Sequence, residues 1–114
     1  MASSPDNLQR LETSGQLRRE PSSPGEMTGF LRAAEDFLAD SKNAQNRVAT
    51  RFGLAYDAAY ALAHAALRSH DLRPTQDKGH RFIVFQCLVH TANAPPEVWV
   101  TLSKAHNRRN ASVY

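Results

Sequence analysis

The chain has a single cysteine, Cys87, so it forms no internal disulfide and builds no cysteine-based zinc site. That residue lies inside FIVFQCLV and reads as a small buried hydrophobe, not a nucleophile. No run approaches the roughly 18 apolar residues that a membrane span needs. The opening MASSPDNLQR lacks the apolar stretch of a signal peptide, and the reading predicts a cytoplasmic protein with no membrane partner. Also missing are a glycine-rich phosphate loop, a serine elbow and paired catalytic carboxylates, which argues against familiar hydrolase or kinase chemistry. His80 and His90 are ten residues apart, unlike a helical metal pair at spacing three or four. His70 and His106 have no Cys, Asp or Glu nearby at ligand spacing, so neither a metal nor a cofactor is expected. Charge of one sign does not dominate either. Fourteen basic against eleven acidic side chains leave a formal charge of +3, too little by itself for a DNA-coating surface despite a pI near 9.4. The exception is local: Lys104 to Tyr114 carries Lys104, Arg108 and Arg109 and no acid.

What the sequence does contain is helical periodicity. At 114 residues the chain is read as one domain, residues 1–114, with 1–22 as a loosely packed N-terminal helix. Ser4-Pro5 caps that helix, Leu8 and Leu11 follow at spacing three, and Gly15 breaks it before Pro21. SPGE then gives Ser23 as N-cap, Pro24 at the first helical position and Glu26 three residues after the cap. From there Met27, Phe30, Leu31, Ala34, Phe37 and Leu38 make one apolar face to about Asp40. A longer helix runs from about Asn46 to His70 and ends at Pro74. Val48, Phe52, Ala55, Ala59, Leu62 and Ala66 read as its seam, with alanines that let another helix approach closely.

GHRFIVFQCLVHTAN has the β-branched and aromatic content of a strand without clean alternation. With no second segment alternating at period two to pair with, it is assigned to a buried helix from about Gly79 to Thr91. Its apolar side is larger than one seam needs, which predicts a homodimer built partly on that helix. NAPPE opens the last helix, where Trp99 is expected to anchor a core or an interface. The fold class is all-α: an up-and-down bundle of four to five helices.

The residues that invite a functional reading lie at the end of the last helix. Val98, Leu102, Ala105, Arg109 and Ser112 share one stripe, so Arg109 must reach water along its stem or meet an acceptor. A carboxylate or a phosphate suits guanidinium through bidentate hydrogen bonds. Asp57, the charge in the middle of GLAYDAAYAL, is the favoured internal acceptor, with Tyr60 and His64 along the same side. Arg108 is read in part as a complement to the helix dipole. Tyr56 and Tyr60 read most simply as packing residues whose hydroxyls reach the rim.

The terminal RNASVY, at the end of an all-α bundle, resembles the motif of the HEPN superfamily. NRVATRFGLAYDAAYALAHAALRSHDLRP followed by GHRFIVFQCLVHT is similar to a bacterial HEPN-like branch ending in Arg-Asn-x-x-x-Tyr. The resemblance implies a compact helical bundle that often dimerises, sits beside a nucleotidyltransferase or an antitoxin, and in many branches cuts RNA without metal. It implies catalytic positions at Arg109, Asn110 and Tyr114, the last in place of the family's histidine. A phenol with an ordinary pKa near 10 is a poor general base at neutrality. Binding of RNA or a nucleotide, or a toxin-antitoxin partnership, is therefore ranked first. A metal-independent ribonuclease comes second, and a structural bundle with a buried ion-pair staple third.

Overall fold

The computed structural model describes the backbone of residues 4–75 and 80–113 and the side chains of residues 6–75 and 81–108. The chain folds as an all-α bundle, as its periodicity predicts, with one short ribbon. Helix α1 spans Ser4–Thr13 and ends on Gly15, whose φ of +83° is the left-handed conformation glycine adopts without strain. The Gln16 N–H donates to the Leu11 carbonyl and the Gly15 N–H to that of Glu12, the paired bonds of a Schellman cap. Strand β1, Leu17–Arg19, pairs antiparallel with β2, Leu72–Pro74, placing Leu17 opposite Pro74 and Arg19 opposite Leu72. Three residues are too few to show a period-two pattern. That is why this ribbon was not legible in the sequence.

Helix α2, Pro24–Ser41, starts where SPGE predicts. The Ser23 hydroxyl accepts the Glu26 N–H at 3.1 Å, with proline at the first turn. Helix α3, Val48–Arg68, returns antiparallel to it. The Arg51 Nε–H donates to the Ser41 carbonyl at one end of the pair, and the Arg68 Nε–H to the Glu26 carboxylate at the other. Helices α4, His80–Gln86, and α5, Leu88–Thr91, follow, separated only at Cys87. The expected single helix over 79–91 is thus two short ones. The Cys87 N–H still donates to the Ile83 carbonyl across the break. Helix α6 spans Pro96–Val113.

The core gathers around α3. Leu8 of α1, Leu17 of β1, Leu72 of β2, and Val84, Phe85 and Cys87 of the α4–α5 segment are buried together with Tyr56, Ala63 and Leu67. Leu8 and Leu17 are core residues, so α1 and β1 pack onto the bundle. Trp99, Leu102 and Ala105 of α6 pack onto the same cluster, so Trp99 is a core anchor.

One sequence expectation fails on α3. The predicted seam of α3 lies on the wrong side: Val48 is 80% exposed and Leu62 50%, whereas Tyr56, Ala63 and Leu67 face the core. Helix α3 is apolar around most of its circumference, so two stripes compete at similar spacing. The stripe carrying Tyr56 and Leu67 meets Phe85 and wins. On the α4–α5 segment, where a homodimer was expected to build in part, Val84, Phe85 and Cys87 are fully buried within the chain while Phe82 stays 36% exposed. Burying Phe85 and Val84 is worth about 1.5–3 kcal/mol each.

The end of α3 holds the buried arginine of this fold, and it is Arg68, with 2% of its surface exposed. Its guanidinium donates from Nε and Nη2 to the two oxygens of Glu26 at 2.8 and 3.1 Å. Nη1 donates to the carbonyls of Glu20 and Leu72, and Nη2 also to that of Pro21. One side chain thereby ties α2, α3, β2 and the segment after β1 together. The bidentate partner holds Glu26 below the usual carboxylate range and pushes Arg68 up. Glu26, legible as a capping-box residue, directs its carboxylate to Arg68. Asp71, at a left-handed φ of 57°, closes the corner: its Oδ1 accepts the Ser22 N–H at 2.9 Å.

Candidate functional site

A second polar cluster occupies the meeting point of α3, α4 and α6. The Tyr56 hydroxyl lies 2.7 Å from His106 Nδ1, and Arg81 Nη1 donates to that hydroxyl at 3.2 Å. An arginine only donates, so the phenol oxygen accepts from Arg81; between the phenol and His106 Nδ1 the imidazole tautomer sets which group donates. The order guanidinium, phenol, imidazole is a connected hydrogen-bond chain running from α4 through α3 to α6.

Packing fixes each member. Phe85 meets both the Tyr56 and Tyr60 rings edge-on, with centroids 5.7 and 5.8 Å apart. Phe82 meets the His106 ring edge-on at 5.3 Å. The Arg81 guanidinium lies over Tyr60 at 4.2 Å from the ring centroid and over Tyr56 at 5.5 Å. Tyr60 and Tyr56 are four residues apart on α3 and so project from the same side, which lets one guanidinium touch both. Burial raises the Tyr60 phenol above its ordinary pKa of 10, opposed by the Arg81 charge. It is a neutral hydrogen-bonding group at any physiological pH.

Arg81 also lines a cavity of about 380 Å³ together with Phe30, Ala33 and Phe37 of α2 and Asp57, Tyr60 and Ala61 of α3. Its walls combine three aromatic rings with two alanines, and its polar groups are one cation, one carboxylate and the Tyr60 phenol. His64 stands at its edge, its ring tilted by 31° against Phe30 at 4.7 Å and edge-on to Tyr60 at 5.6 Å. Flat aromatic walls with a guanidinium at the rim suit a planar ring bearing an anionic group.

Of the sequence-predicted residues, Asp57, Tyr60 and His64 therefore come together. Arg108 does not join them: it is exposed on α6, its guanidinium 5.6 Å from the centroid of Phe52. The side chains of Arg109 and Asn110, and all of Tyr114, lie outside the described residues. The backbone of position 109 stands one helical turn beyond His106 on α6. Sequence reasoning missed Arg81 and the pairing of Tyr56 with His106. Arg81 sits beside FIVF, where the apolar run drew the reading toward burial. His106 was judged by metal-ligand spacing, which is blind to a phenol partner fifty residues away.

Among the described residues no group of three or more His, Cys, Asp or Glu side chains is placed to hold a metal. None of the helices among them is long and apolar enough to cross a membrane. Cys87 is fully buried and its thiol is pushed up to about 12 by burial, the opposite of an activated nucleophile. Comparison with protein-family models, curated proteins and solved structures found no match to this chain.

Proposed function

We propose that the protein binds RNA or a nucleotide in the cleft between α2, α3 and α4, with Arg81 meeting the phosphate and Phe30 and Tyr60 flanking a base. The observation that carries this reading is the Arg81 guanidinium, held over two tyrosine rings at the rim of an aromatic cavity. Stacking on aromatic rings contributes about 1–3 kcal/mol per base. An arginine pre-positioned over aromatic rings loses little rotamer freedom when it takes up a phosphate. The HEPN-like resemblance of RNASVY and the α3–α4 segment supports the same class of ligand; the Arg109, Asn110 and Tyr114 positions it assigns lie outside the described side chains. A toxin-antitoxin or nucleotidyltransferase partner, a homodimer and a cytoplasmic setting belong to this proposal too. The test is fluorescence anisotropy with a labelled single-stranded oligoribonucleotide and a nucleoside monophosphate. Affinity should fall with added salt, and Arg81→Met should weaken it at least tenfold while the thermal midpoint stays put. Binding unchanged in that variant contradicts the reading.

A second reading, metal-independent RNA cleavage, is favoured by the Tyr56–His106 contact. The family pattern lacks its histidine at Tyr114, and His106 offers an imidazole one turn before Arg109 on the same helix. In this reading a 2′-hydroxyl attacks the adjacent phosphorus, the 5′-oxygen leaves, and a 2′,3′-cyclic phosphate forms. His106 serves proton transfer and Arg81 the developing charge. Cleavage of RNA in EDTA that His106→Ala abolishes supports it; no cleavage by the intact chain rejects it.

A further inference from the structure

The Arg81 cleft holds two opposite charges that do not close on each other. Arg81 and Asp57 both line the cavity. The contacts of Arg81 among the described residues go to Tyr56 and Tyr60, so cation and carboxylate stay apart. A ligand that satisfies both must carry an anionic group and, at another point, hydrogen-bond donors. The volume of about 380 Å³ lies in the range of small-ligand sites, roughly 300–1,000 Å³.

Helical spacing arranges these groups in a row. Asp57, Tyr60, Ala61 and His64 stand at i, i+3, i+4 and i+7 of α3, and so share one face. Phe30 of α2 meets His64 at one end of the row. Because α2 runs antiparallel to α3, Phe37 stands level with Asp57 at the other end. Asp57 is one helical turn from Tyr60, so a base beside the Tyr60 ring extends its edge toward the carboxylate.

We propose that Asp57 selects guanine, its carboxylate accepting the N1–H and the 2-amino N–H of the base while Arg81 takes the phosphate. This inference rests on the nucleotide reading above and names the base which that reading leaves open. An ionised carboxylate only accepts hydrogen bonds. It offers about four lone-pair positions, enough for two base N–H groups beside a contact within the chain. Guanine presents two adjacent donors on its Watson–Crick edge. Adenine and cytosine each set an amino donor beside a ring nitrogen that accepts, and uracil sets one N–H between two carbonyls. Each of these three turns a lone pair toward the carboxylate. Asp57 is half-buried, so a mismatched base removes water from it without replacing the hydrogen bonds.

The experiment is titration calorimetry on the full chain with GMP, IMP, AMP, CMP and UMP. GMP should bind at least about tenfold more tightly than AMP, CMP or UMP, the scale of one bidentate base contact. IMP keeps the N1–H and lacks the 2-amino group, so it should fall between. Asp57→Asn is the decisive variant. Its amide oxygen still accepts the N1–H, but its NH₂ donates and suits a carbonyl at position 2. The variant should therefore lose the guanine preference and gain affinity for xanthosine monophosphate, a gain that folding defects do not produce. Equal binding of all five nucleotides, or an unchanged order in Asp57→Asn, overturns guanine selection. If Arg81→Met still weakens binding in that case, the nucleotide reading stands without it. No binding of any nucleotide sinks that reading, and guanine selection with it.

Discussion

Two arginines organise this molecule, and they are held in opposite ways. Arg68 spends every guanidinium nitrogen on protein acceptors: a bidentate carboxylate and three backbone carbonyls. Arg81 makes one hydrogen bond among the described residues, to the Tyr56 phenol, and otherwise lies over aromatic faces. The first is saturated and closed to ligands. The second is positioned but not consumed, and it borders a cavity. A buried ion pair fixes which elements meet, whereas a guanidinium resting on rings keeps donors for a ligand. Among the described residues the arginine of a buried ion pair is Arg68, a position the sequence reading did not single out.

The largest test of that contrast is Arg68→Met. Removing one partner of a buried pair should cost about 3–5 kcal/mol, and the midpoint of thermal unfolding should fall by more than about 10 °C. Arg81→Met should leave that midpoint within about 3 °C while abolishing most RNA binding; equal melting losses in the two variants would erase the distinction. Tyr56→Phe comes next. It deletes a hydroxyl bonded to both His106 and Arg81 and should destabilise by about 1 kcal/mol. Ser23→Ala, which removes the α2 cap, should also cost about 1 kcal/mol and leave ligand binding unchanged.

The smallest effect is a pH dependence, and its sign follows from Glu26. The Arg68 guanidinium holds the Glu26 carboxyl below its ordinary value of 4.5. The stability it contributes is therefore fully present above that value and is lost as the pH falls through the lowered one. Asp71, held down by the Ser22 N–H, acts in the same direction from its ordinary 3.8. Unfolding midpoints should be flat from pH 7 to about pH 5 and decline below about 4. Glu26→Gln should be less stable than the intact chain at pH 7 and converge with it in acid. Parallel curves would show that the Glu26–Arg68 pair does not set the acid limb.

How much of this was legible beforehand depends on the range of the interaction. The Ser23 cap, the Pro24 start and the apolar face of α2 are local, carried by residues within one or two turns, and they stand where the spacing puts them. The core stripe of α3 was misassigned because alanines and large apolar residues occupy two adjacent faces. Only contact with Phe85 decides between them. Asp57, Tyr60 and His64 were legible as a set because helical spacing alone places them together. Tyr56, Arg81 and His106 were not, since they stand 25 and 50 residues apart in pairs and no local rule joins them.

The most direct test of the cleft is a titration of labelled protein with a short single-stranded RNA and with a nucleoside monophosphate. It is followed by side-chain NMR of the arginine Nε–H, tyrosine ring and histidine ring signals. Saturable shifts are expected at Arg81, Tyr56, Tyr60 and His106, with the Arg68 Nε–H signal unmoved. Shifts confined to other surfaces, or none at millimolar ligand, would contradict binding in the cleft.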